Sequence, residues 1–190
     1  MASGKRSLSC ALSLLFASTL GATTVSSMSL EELTDRSEIV VSGQVTKSWS
    51  DWDSEHKYIW THHEIKVSGA LKGSAASTVV VSEPGGVVGN RAMSTAGVVA
   101  YSAGEQVAVF LERMPNGYLR TTGWGQGKYT VDSSGRLHAD ASLRGVEILQ
   151  PDQKATTPAR TPLRTLEGMS VGEFRSLVRA HTALKAGSVK

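Results

Sequence analysis

Two groups of acids and imidazoles lie close together between residues 51 and 64. The first, "DWDSEH", sets Asp51, Asp53 and Glu55 at alternate positions with His56 beside them. Carboxylate oxygens at that spacing are hard ligands of the kind calcium takes, although the glycine and distal glutamate of an EF-hand loop are missing. The second, "THHEIKV", holds His62, His63 and Glu64. His62 and Glu64 together suit zinc, with His56 or His138 as the further ligand such a site needs. A chain that gathered Asp51, Asp53, His56 and His62 around an ion would be a metal-dependent hydrolase. One that used only Asp51, Asp53, Glu55 and His56 would be a calcium-binding envelope protein.

The elements that must carry these residues limit what they can do. In "YIWTHHEIKV" the odd positions Ile59, Thr61, His63, Ile65 and Val67 suit a core, and the even positions Tyr58, Trp60, His62, Glu64 and Lys66 suit solvent. That period of two predicts a strand, on which consecutive side chains diverge to opposite faces. His62 and His63 therefore cannot share an ion. His63 reads as a core-edge histidine bonded to backbone or water, and His181, in the last helical pattern, as a residue at the rim of a packing surface. No serine lies in a Gly-x-Ser-x-Gly elbow. The glycines of "GWGQG" precede a strand pattern, not a helix, so they ease a bend and do not cradle phosphate.

Aromatic residues offer a second kind of site. Trp49, Trp52, Tyr58 and Trp60 flank the same hairpin, with Trp60 on the outward set and Trp52 in the loop. Large apolar surface facing water is usually committed to a partner, so Trp52, Trp60, Tyr58 and His62 form the candidate partner-binding group. The competing reading is that the final helix or the segment before it covers these rings.

Around this hairpin the chain reads as mainly β. Ser29 and Glu32 make a capping-box pattern for a short helix to Arg36, with Leu30 and Leu33 inward. "IVVSGQVTKSW" alternates as a half-buried strand, with Ser42, Gln44 and Thr46 on its polar side. "STVVVSEPGG" is a strand ending in a turn, and "QVAVFLER" is apolar on both faces from Val107 to Leu111, as in a fully buried strand. "MPNG" and "DSSG" mark reversals. Residues 150–169 are rich in Pro, Thr and basic residues and read as a linker. Residues 170–185 read as a helix with Phe174, Leu177, Val178, His181 and Leu184 on one stripe. The expectation is a small OB-like β-barrel spanning 22–149, with a short N-terminal helix and a C-terminal helix packed on it.

The N-terminus carries Lys5 and Arg6, an uncharged apolar run from Leu8 to Leu20, and small residues before Ala22. That layout predicts a secretory signal peptide over residues 1–21, and the run is too short to span a membrane. Its removal takes away Cys10, the single cysteine, and lowers the formal charge from +3 to +1, because Lys5 and Arg6 leave and no acid goes with them. The processed chain then has no thiol chemistry, little reason to bind nucleic acid and no transmembrane anchor. It would be periplasmic or released into the medium.

The ordered set "IWTHHEIKVSGALKG", "VVVSEPGGVVG", "GEQVAVFLER", "GWGQGKYTV" and "MSVGEFRSLVRAH" resembles a family of secreted bacterial proteins of uncharacterised function. Its marks are Leu71-Lys72-Gly73, Pro84-Gly85-Gly86 and Gly125-Gln126-Gly127-Lys128. The resemblance implies an OB-type barrel similar in shape to tissue inhibitors of metalloproteinases and netrin modules, and a secreted metalloprotease as one partner. Those inhibitors chelate zinc through an N-terminal cysteine, which this chain lacks after processing. The functional expectation is therefore a non-catalytic binding module for a protein or envelope component, with no cofactor. The metal-dependent readings stand as the alternative, and a structural envelope protein as a third class.

Overall fold

A computed structural model describes residues 24–95, 97–143, 147–149 and 166–187. The expected signal peptide and most of the expected linker lie outside the described residues. No described helix is long and apolar enough to cross a membrane.

Strand β1 (Thr24–Ser26) pairs in parallel with β11 (Glu147–Leu149). Helix α1 (Leu30–Arg36) follows, and its capping box forms as read: Glu32 N–H donates to Ser29 Oγ, and Ser29 N–H donates to the Glu32 carboxylate. The main sheet holds β2 (Ile39–Trp52), β3 (Ile59–Lys72), β4 (Thr78–Pro84), β7 (Gln106–Arg113), β8 (Leu119–Thr121), β9 (Lys128–Val131) and β10 (Leu137–Ala139). The short hairpin β5 (Gly86–Val88) and β6 (Arg91–Met93) forms a separate two-stranded sheet. Strand β7 pairs with both β2 and β8, and β4 runs parallel beside β8, so β2-β3-β4-β8-β7 closes into a ring. The fold is mainly β and barrel-like, of the OB-like kind expected. Helix α2 (Val171–Gly187) ends the described chain.

Two cores explain the burial. Inside the ring, Val41, Val45, Ile65, Val81, Val107, Val109 and Leu111 meet. Outside it, Val40, Ala108 and Phe110 pack against Leu30 and Leu33 of α1 and Phe174 and Val178 of α2. Successive side chains of β7 thus enter different cores, which is why Val107 to Leu111 is apolar without alternation. The same double burial takes in Val40 and Ser42 of β2, where simple alternation had placed Ser42 toward solvent. Burying the fully enclosed aliphatic side chains contributes about 1.5–3 kcal/mol each. The predicted stripe of α2 holds through Val178, but Leu184 is 72% exposed. His181 and Lys185, on this part of the helix, reach the Asp35 carboxylate of α1.

The three sequence marks are all structural. Leu71 is buried, Lys72 Nζ donates to the Thr34 and Ser37 carbonyls at the end of α1, and Gly73 has φ +71 against the Glu38 carbonyl. Gly86, at φ +135, lies against the hydroxyls of Ser50 and Thr61, where a Cβ would collide. The Gln126 side chain accepts from Met28 N–H and donates to the Ser26 carbonyl, while Lys128 enters the ring. "GWGQG" contains a single 3-10 turn, Trp124–Gly127, leading into β9.

Candidate functional site: two faces of one strand

Strand β3 lies between β2 and β4 and presents one face to the inside of the ring and the other outward. Its partner β2 is irregular between Val45 and Lys47, where the register shifts by one residue. That bulge reverses the alternation of β2. Before it, odd residues enter the ring. After it, Lys47, Trp49 and Asp51 face outward opposite Glu64, His62 and Trp60, and Ser48 and Ser50 face inward opposite His63 and Thr61.

On the outer face the rings form a continuous series. Trp49 and His62 lie 5.3 Å apart, His62 and Tyr118 5.4 Å, and Tyr118 and Trp60 5.2 Å, the last two edge-on. Lys47 Nζ sits 5.2 Å from the centre of the Trp49 ring and 3.2 Å from the Glu64 carboxylate. Trp49 is 40% exposed, and Trp60 and Tyr118 are half-buried. His62 was expected to face solvent as a contact residue. It faces the outer side, but Trp49 and Tyr118 flank it and leave it only 9% exposed, so it supports the rings from beneath. Its Nδ1 shares a hydrogen bond of 2.8 Å with Ser82. Burial lowers its pKa, and the charge of Asp51 partly offsets that.

On the inner face His63 shares a 2.7 Å hydrogen bond with Ser48 through Nδ1, and its ring lies 4.7 Å from that of Tyr101. Its partner is thus a side-chain hydroxyl, where a backbone group or water was expected. Burial, with Lys128 nearby, pushes its pKa down to about 4. Around it most polar groups are paired, and Arg120 Nη2 is the buried donor left without a hydrogen-bond partner. Tyr101 and Thr121 hydroxyls are 2.6 Å apart, and buried Glu83 accepts from Thr121 N–H and Arg120 Nε. Burial raises the Glu83 carboxyl and the Tyr101 phenol. Lys128 Nζ donates to the Ala100 carbonyl, Glu105 and Asp140 at 2.7–3.0 Å. A cleft of about 280 Å³ opens beside His63, Glu83 and Tyr101. These groups already serve one another, and His63, neutral down to acid pH, is a weak base.

The hairpin tip differs from its reading in detail. Trp52 ends β2, paired with Ile59, and its ring stacks on His56 at 6.3 Å, so it is not a loop residue. Asp51 lies on the strand, with Oδ1 accepting from Trp52 N–H, and Asp53 Oδ1 accepts from Lys57 N–H. Glu55 pairs with Lys57, and Tyr58 is 57% exposed. The structure therefore does not bring Asp51, Asp53, Glu55 and His56 together as a calcium site. Among the described residues no three His, Cys, Asp or Glu side chains are placed to hold one metal ion. His138, offered as a further zinc ligand, lies on β10 between Asp132 and Glu167, whose bonds raise its pKa.

Helix α2 does not cover the aromatic rings. It packs on α1 and reaches β3 near Ala70, where Arg179 donates to the carbonyl. Tyr118 was missed by the sequence reading. It follows the Met114–Gly117 turn and reaches the rings only because β8 closes beside β4. No family model, curated protein or solved structure matches the chain.

Proposed function

We propose that the protein is a secreted or periplasmic binding module of OB type that engages a protein or another envelope component through the outer face of β2, β3 and β4, without catalysing a reaction. The observation that carries this reading is the unbroken outward series Trp49, His62, Tyr118 and Trp60, left open by α2. Preordered aromatic rings give large contact area at little entropic cost, the usual composition of an interface hot spot. The N-terminal charge and apolar pattern support export. The resemblance to inhibitor-like modules makes a secreted metalloprotease one partner to test. Its contact would run through the aromatic face, since no cysteine is left to chelate zinc.

The test is parallel affinity capture from envelope and culture medium with the natural chain and with Trp49→Ala and Trp60→Ala. The captured component is then titrated against each protein by tryptophan fluorescence. The expected result is a component held by the natural chain and weakened about thirtyfold by either variant. Equal binding by all three proteins would remove this face from the account.

A further inference from the structure

The far half of β2 has a free edge. Strand β7 pairs with β2 only over Ile39–Gln44, and the last bonds on that side are Val45 N–H to the Glu105 carbonyl and Gly104 N–H to the Val45 carbonyl. From Thr46 to Trp52, β2 has β3 on one side and no strand on the other among the described residues. Thr46, Lys47, Ser48, Trp49 and Asp51 are all exposed there, on both faces. Hairpin β5–β6 approaches from within, with Gly86 against the inward Ser50. Unpaired main-chain groups in a row form a template for another strand.

We propose that the occupant of this edge is a second copy of the same chain, paired antiparallel about a two-fold axis through Trp49. Such an axis, normal to the sheet, keeps outward residues outward in both copies, so each residue must face one of its own parity. Centring on Trp49 sets Lys47 opposite Asp51 of the second copy, Asp51 opposite its Lys47, and the two Trp49 rings side by side. Centring on Lys47 or on Asp51 sets like charges against each other. Centring on Ser48 leaves both Lys47 and Asp51 unmatched, and centring on Ser50 sets Asp51 against Trp49 and Lys47 against Asp53, beyond the end of β2. Among these, only the Trp49 register pairs both charges of the edge, Lys47 and Asp51, with their opposites, and cross-strand pairs of opposite charge are favourable where like pairs are not. Lys47 would then lie between its own Glu64, at 3.2 Å, and Asp51 of the second copy. The bulge at Val45–Lys47 ends the straight edge, and because the two copies use the same edge on each other, pairing closes at two. The dimer would join the two aromatic faces into one strip. This holds whatever that strip binds.

The experiment is sedimentation analysis of the purified chain from about 1 μM to about 1 mM, the range suited to a small transient interface. A reversible dimer is expected. Lys47→Glu and Asp51→Lys should each weaken it about tenfold, and the double variant carrying both should return it to near the natural value. A Cys10→Ala, Trp49→Cys variant should cross-link to itself on mild oxidation. It reads the same register without depending on the charge variants. A chain monomeric throughout, a dimer indifferent to the charge changes, or a double variant no better than the singles would each overturn the proposal.

Discussion

One residue apart on β3, His62 and His63 meet opposite surroundings. His63 points into the ring, bonds to Ser48, packs on the Tyr101 ring, and lies beside a set of interior polar side chains most of which are paired. His62 points outward, holds Ser82, and carries half-exposed aromatic rings on either side. Both are nearly closed to water, so burial alone does not separate them. The difference is in what lies beyond each ring: the polar interior with its small cleft for His63, and the outer aromatic surface for His62. Chemistry-bearing side chains in the interior serve cohesion here, and the proposed binding surface consists of rings packed against one another at the outer face.

Breaking the inner side should show the largest effect. Lys128→Met removes the cation shared by half-buried Glu105 and buried Asp140 and leaves both carboxylates without a counter-charge. Urea denaturation should show a loss of about 3–5 kcal/mol. If the loss were below about 1 kcal/mol, the interior cluster would not be a cohesive unit.

Next in size is the pH dependence of His63. Its folded pKa of about 4 lies below the ordinary value of 6.5, so the unfolded chain takes up the proton first. The associated stability is complete above pH 6.5 and is lost as pH falls from there to about 4, amounting to about 3 kcal/mol at most. Denaturation from pH 7.5 to 4 on the natural chain and His63→Leu should show the natural chain losing more. The matching His62→Leu comparison should show the same sign with a smaller amplitude, because Asp51 favours its charged form. Equal slopes for the natural chain and His63→Leu would remove the distinction between the faces.

The outer side should behave in reverse. Trp49→Ala should cost no more than about 1 kcal/mol of stability while weakening a bound partner by about 2 kcal/mol, read by denaturation and fluorescence titration in parallel. The smallest effect sharpens the comparison further. Ser82→Ala removes the hydroxyl that orients His62, for a stability loss of about 1 kcal/mol, and leaves the inner cluster unchanged.

How much of this was legible in the sequence depended on the range of the interaction. The Ser29–Glu32 capping box, the doubly buried stretch Val107–Leu111 and the divergence of His62 from His63 all follow from local period and chemistry, and all hold. The bulge at Val45–Lys47 has no local mark, since neither glycine nor proline announces it. Yet it alone turns Trp49 outward. The burial of His62 also escaped reading, because it comes from Tyr118, which lies 56 positions away along the chain. The acids of the hairpin tip had the right types for a metal, but backbone N–H groups and Lys57 take them up first.

The sequence by itself determined the alternation of β3, the capped start of α1 and the charge pattern Lys47, Trp49, Asp51, because each depends only on neighbours along the chain. Tertiary structure alone decided which face of β2 and β3 stays open. Closure of the ring brings β8 and Tyr118 beside β4. The helices bury the near half of the outer surface, and among the described residues no helix lies over the far half. A side chain's surroundings are set by contacts between distant segments, and local alternation carries no information about where those segments come to rest.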